Sequence, residues 1–147
     1  MTEFTETYTA ASKSFRAVTT AVLRRLDLHL GQNLVVAALA ERDGQTPGEL
    51  AAALDVTTPT IVKMATRMTA AGLVMRVRDD KDQRLVRLRL TDAGRSLVEP
   101  LAASMKEIEE RLTTGLTDTE RASLTDLMTR VTGNARALLA EWDESGD

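Results

Sequence analysis

The sequence predicts a mainly α-helical fold with one small β-hairpin: a helix-turn-helix and hairpin in mid-chain, flanked by helices at both ends. Three observations lead there. Apolar residues recur at intervals of three and four over both terminal thirds of the chain, as they do on amphipathic helices. Between those thirds, two short helical patterns stand only about four residues apart. After Gly72 the apolar period changes from helical to two. With 147 residues, 43% of them hydrophobic, the chain has one domain's length and enough apolar side chain for a core.

The first helix starts at Phe4 and carries Tyr8, Ala11, Phe15, Val18, Val22 and Leu26 on one stripe, with Gly31 as its natural stop. Gln32 to Arg42 forms a second helix on Leu34, Val35, Ala38 and Leu39, closed by the turn-prone Asp43-Gly44. Thr46-Pro47-Gly48-Glu49 combines a Thr cap, Pro at the first helical position and Glu three residues after the cap. That short helix reaches Leu54. Asp55 to Thr58 breaks it, and Thr57 or Thr58 with Pro59 starts another helix through Ile61, Met64, Ala65 and Met68 to a stop at Gly72.

Leu73 to Arg78 and Leu85 to Leu90 alternate, placing Leu73, Met75, Val77 and Val86, Leu88, Leu90 on the expected apolar side and Asp79 to Arg84 at a polar tip. A lone hairpin is marginal in water, so its apolar side should pack on the preceding helices. Thr91-Asp92 caps one continuous helix with Leu97, Leu101, Met105, Ile108 and Leu112, ending near Gly115. Thr117 to Glu120 is a second capping box, opening a last helix with Leu124, Met128, Val131, Ala135, Leu138 and Trp142. The central elements fill their own core, so the stripes at the two chain ends need other partners, most economically in a two-fold dimer. The expected organisation is residues 1–30 and 92–147 as dimerisation helices around a central 31–91, all in one structural domain.

The formal charge of −3, from 19 basic and 22 acidic residues, speaks as a global sum against a polyanionic partner. Its distribution reverses that. Val56 to Thr91 holds eight basic residues against three acidic, a net +5, which leaves −8 on the rest of the chain. A positive segment containing the second helix of the pair and the hairpin is the footprint of a polyanion binder. Arg76 and Arg78 on one strand, and Arg87 and Arg89 on the other, are expected together on the polar face, where like charges in register repel unless something negative offsets them. Phosphates would do so; the tip aspartates and solvent are the blander alternative.

On the helix from Pro59, the residues off the apolar stripe are Thr57, Thr58, Thr60, Lys63 and Arg67. The N-terminal part of a recognition helix presents such side chains and its backbone N–H groups to the major groove. Thr57 and Thr58 also suit capping, and the two roles are compatible.

No Cys is present, which removes disulfides, thiolate nucleophiles, thiol redox sensing and Cys-based zinc sites. A single His excludes a multi-His metal site within one chain. No nucleophile–base pair or glycine-rich phosphate loop is found, so an enzyme and a cofactor are not expected. Glu3 and Glu6 near the start and the absence of a long apolar run argue against a signal peptide or membrane span, and the expected location is cytoplasmic.

Gly72-Leu73-Val74-Met75-Arg76, then Asp82-Gln83-Arg84, then Leu88-Arg89-Leu90-Thr91-Asp92-Ala93-Gly94, resemble the signature of MarR-type winged helix-turn-helix regulators. The similarity covers nearly the whole chain. The resemblance implies a homodimer bound to a pseudo-palindromic double-stranded DNA operator, usually as a repressor, and released by a small phenolic or anionic effector. It also implies that Arg84 enters the minor groove from the wing tip, with Asp82 pairing to it. The narrow groove concentrates negative potential, and Arg sheds hydration more readily than Lys. The wing residues expected at DNA are then Arg76, Arg78, Lys81, Asp82, Arg84 and Arg87. His29 at the end of the first helix, with Met64 and Met68 near the family's pocket, are the candidate effector contacts. The rival reading is a winged-helix module for protein–protein contact without specific DNA binding, separable from the first by salt dependence.

Overall fold

The computed structural model describes residues 1–145. Its elements are α1 (Glu3–Arg24), α2 (Gln32–Glu41), α3 (Pro47–Leu54), α4 (Thr58–Ala70), β1 (Val74–Arg78), β2 (Val86–Leu90), α5 (Asp92–Ser96), α6 (Val98–Leu112) and α7 (Asp118–Ser145). They form two compact units, Met1–Ile108 and the segment from Glu109 onward. The chain thus has the expected mainly helical architecture with one antiparallel hairpin.

Local sequence sets most helix ends. Thr46 accepts from the Glu49 amide and Glu49 from the Thr46 amide, which completes the capping box of α3. Thr117 and Glu120 form the same reciprocal pair ahead of α7. At Gly72, with φ 74°, α4 closes through bonds from the Gly72 amide to the Thr69 carbonyl and from the Leu73 amide to that of Met68. This paired closure needs a left-handed residue. α1 uses the same closure earlier than expected: Asp27, not Gly31, adopts the left-handed conformation, and the Leu28 amide returns to the Leu23 carbonyl. The apolar contact that accompanies such an end is present, since Leu23 and Leu28 are both buried in one cluster.

The helix expected from Asp92 to about Gly115 is two helices broken at Leu97. Pro100 is the physical reason, because it has no amide to give the Ser96 carbonyl and its ring crowds the preceding turn.

The core of the first unit is built from Leu23, Val35, Val36, Leu39, Leu50, Ile61, Ala65, Met68, Val74, Leu88, Leu90 and Leu101. Leu34, expected inside, is exposed, and Val36 takes the buried place. On α1 the predicted stripe is largely uncovered: Phe4, Tyr8, Phe15 and Val18 are exposed, and the buried residues are Thr19 and Leu23. α7 buries none of its residues, and Leu124, Met128, Leu138 and Trp142 are exposed along it.

The hairpin register pairs Val74 with Leu90, Met75 with Arg89, Arg76 with Leu88, Val77 with Arg87 and Arg78 with Val86. Residues paired across an antiparallel ladder share a face. The four arginines therefore do not lie together, as expected, on one polar face: Arg76 and Arg78 share a face with Val86, Leu88 and Leu90, whereas Arg87 and Arg89 share the opposite face with Met75 and Val77. Val74, not Met75, is the buried residue of β1, so the apolar alternation on this strand is shifted by one position. On the far side of β2, the Leu88 amide donates to the Gln45 carbonyl over 2.8 Å, adding a one-residue third rung.

Candidate nucleic-acid interface

α4 starts at Thr57, whose hydroxyl oxygen accepts from the Thr60 amide at 3.4 Å and lies 2.9 Å from the Thr60 hydroxyl. Ile61, Ala65 and Met68 face inward, and Thr57, Thr58, Thr60, Lys63 and Arg67 are all exposed. All five residues expected of a recognition helix are thus exposed: Thr60, Lys63 and Arg67 share one face of α4, and Thr57 and Thr58 stand at its N-terminal end. Thr66, which sequence reasoning passed over, shares the exposed side and accepts from Arg76 Nη2 at 3.0 Å, linking wing to helix. Its place three positions after Lys63 was the available signal.

The wing tip is folded by carboxylates. Asp79 Oδ2 accepts the amides of Lys81 at 3.0 Å and Asp82 at 2.9 Å, and Asp82 Oδ1 accepts the Arg84 amide at 3.0 Å. Arg84 Nε lies 3.5 Å from Asp82 Oδ1, and its side chain is 93% exposed. The structure therefore brings Asp82 and Arg84 together in the exposed turn between β1 and β2. Lys81 is exposed beside them, and Arg78 Nη1 donates to the Gln83 carbonyl at 2.7 Å.

Arg87 is placed differently from its expected role. Its Nε donates to Asp79 Oδ1 at 2.6 Å, and its Nη1 donates to the Gly44 carbonyl at 3.0 Å and lies 3.4 Å from Glu49 Oε2. The side chain is 28% exposed. The Arg87 hydrogen bond, with the Asp82 and Lys81 amides behind it, pulls the Asp79 carboxyl down to about 2, and Asp79 in turn raises the guanidinium. Glu49 is also lowered, first by the Thr46 amide that it caps. From the sequence, Asp79 reads only as generic counter-charge at the tip and Glu49 only as a capping residue of its own helix.

The base of the wing is clamped to the start of α5. The Thr91 hydroxyl donates to the Gly72 carbonyl and accepts from the Gly94 amide, while the Thr91 amide donates to the Leu73 carbonyl. A Cβ on Gly94 would lie 2.1 Å from that Leu73 carbonyl oxygen, so only glycine fits. Asp43 accepts from the Leu90 amide and from Arg95, tying the loop after α2 to β2 and α5.

The candidate effector residues differ in exposure. Met68 is fully buried in the core, Met64 is half-buried, and His29 is exposed. A shallow depression on α1 is lined instead by Lys13, Arg16, Ala17, Thr20, Ala21 and Arg24.

Residues 28–86 match the MarR family model. Among curated proteins, the chain is 32% identical over 117 residues to the HTH-type transcriptional regulator TtmR of Methylorubrum extorquens, covering 80% of this chain and 59% of that protein. It is 29% identical to the HTH-type transcriptional repressor MdtR of Bacillus subtilis, covering 77% and 70%. The chain thus spans about three-fifths of TtmR and somewhat more of MdtR. Among solved structures, the S. aureus MepR–DNA complex superposes with a TM-score of 0.82 at 23% identity, covering 91% of this chain and 99% of that one. Bordetella bronchiseptica BpsR, whose DNA binding is regulated by 6-hydroxynicotinic acid, superposes with a TM-score of 0.79 at 23% identity over 86% and 91%. The matched helix-turn-helix, the hairpin wing and the named relatives agree with one another: residues 28–86 are a winged-helix region of the MarR family.

Proposed function

We propose that the protein is a sequence-specific double-stranded-DNA-binding transcriptional regulator, acting as a homodimeric repressor of a pseudo-palindromic operator and released by a small ligand. The observation that carries this reading is the joint exposure of Lys63, Arg67, Lys81 and Arg84 on α4 and the wing tip of an otherwise acidic chain. Thr57, Thr58, Thr60, Lys63 and Arg67 would face the major groove, and Arg84, directed by Asp82, the minor groove, with Lys81, Arg76 and Arg78 at the backbone. Exposed apolar side chains on α1 and α7 support a second copy as partner, which would set two recognition helices about 34 Å apart on successive major grooves. The repressor assignment follows the name of MdtR, and ligand release follows BpsR. The cations of the α1 depression suit an anionic ligand. No helix among the described residues is long and apolar enough to cross a membrane; the reading places the regulator in the cytoplasm, and the transcriptional regulators it resembles support a role without catalysis.

The test is selection of bound duplexes from a random DNA library, followed by salt titration and sedimentation of the winning complex. An enriched two-fold-symmetric sequence, bound with a steep log–log salt slope by two copies of the 16.0 kDa chain, is expected. Failure to enrich any sequence overturns the reading in favour of a protein-docking module.

A further inference from the structure

Arg87 and Asp79 do something that charge counting assigns to neither. Asp79 closes the wing-tip turn with one oxygen, through the Lys81 and Asp82 amides, and holds Arg87 with the other. Arg87 carries the connection across to the Gly44 carbonyl and to Glu49, the capping carboxylate at the start of α3. α3 is the helix that precedes α4 in the helix-turn-helix. The chain of contacts therefore runs from the turn bearing Arg84, through Asp79 and Arg87, to the helix pair bearing Lys63. We propose that Asp79 and Arg87 are positioning residues, a strut that holds the wing tip in register with the recognition helix so that Arg84 and α4 meet DNA together, and that Arg87 itself contacts no phosphate.

The proposal rests on the DNA-binding reading, and it makes a prediction opposite in sign to simple electrostatics. Removing an acidic side chain near a polyanion ordinarily tightens binding. Loss of Asp79 instead leaves the tip turn and Arg87 without their shared anchor, and the ordering that Asp79 supplies in the free protein must then be supplied on binding.

The experiment measures affinity of the full chain for a duplex selected from a random library by the wild-type protein, comparing Asp79→Ala with Asp80→Ala. Asp80 is exposed one residue along the same tip and serves as the charge control. Asp79→Ala is expected to weaken binding about tenfold, the scale of a lost charge-assisted bond, while Asp80→Ala leaves affinity equal or higher. Arg87→Lys keeps the charge but cannot fork to Asp79 and the Gly44 carbonyl at once, so it should weaken binding nearly as much as Arg87→Ala. Tighter binding by Asp79→Ala, or full rescue by Arg87→Lys, would overturn the strut and return Arg87 to the phosphate backbone. Amide hydrogen exchange at Lys81 and Asp82 in the free protein gives a DNA-independent readout. Protection there should fall in Asp79→Ala with the α4 amides unchanged, and retained protection sinks the proposal even where no duplex is selected.

Discussion

α4 and the wing are both basic, yet they hold their cations differently. On α4, Lys63 and Arg67 are exposed and have no ion pair or side-chain hydrogen bond among the described residues. In the wing, Arg76 bonds Thr66, Arg78 bonds a tip carbonyl, Arg87 bonds Asp79, and Arg84 lies beside Asp82. The helix needs no such help, because its backbone bonds fix where each side chain projects. A two-stranded hairpin with a long tip has no comparable internal rigidity, and part of its charge maintains its own shape. A net +5 over Val56 to Thr91 therefore overstates the charge available to a partner.

The largest effect is expected where the wing joins the body. In Gly94→Ala the new methyl would meet the Leu73 carbonyl oxygen at 2.1 Å, and that oxygen also takes the Thr91 amide. Backbone must shift, at a cost of about 3 kcal/mol on the scale of an overpacked core. A lower thermal midpoint and loss of DNA binding are expected together, and an unchanged midpoint would mean that the clamp yields freely. Arg84→Ala comes next. With a side chain 93% exposed and paired to the half-exposed Asp82, it contributes little to folding. Operator affinity should fall about tenfold or more with the thermal midpoint unmoved, and unaltered affinity would remove the wing tip from the mechanism.

Much of this was legible in the sequence because it is encoded locally. Thr46 with Glu49, Thr117 with Glu120, and Gly72 each set a helix end through residues within three or four positions. The exposed face of α4 followed from its 3.6-residue period. The misplaced features depended on longer-range choices. Leu73-Val74-Met75 offers an apolar residue at three consecutive positions, so alternation does not choose between two registers, and burial of Val74 in the core decides it. That single step placed the arginine pairs on opposite faces. Asp27 in place of Gly31 as the end of α1 was hidden because Asp adopts the left-handed conformation less often than Gly. The Arg87 contacts reach back 38 residues to Glu49 and 43 to Gly44, a distance that no local pattern spans.

Lys63→Ala tests the free cations of α4. An exposed, unpaired cation should cost nothing in folding and reduce the salt slope by about 0.9 for one lost phosphate contact. If binding persists with the same slope, α4 does not lie at the backbone.

The smallest effect is that of pH on the strut. Asp79 has its carboxyl lowered from 3.8 to about 2, chiefly by Arg87. A depressed carboxylate contributes stability that is complete above the unfolded value and disappears as pH falls through the folded one. The Asp79 carboxylate should therefore stay ionised from neutrality down past 3.8, and lose its hold on Arg87 and the tip amides only toward 2. Carbon-detected NMR of the Asp79 carboxyl measures this directly. An Asp79 midpoint near 3.8 would mean that Arg87 does not hold it, and the wing would then be as free as the face of α4.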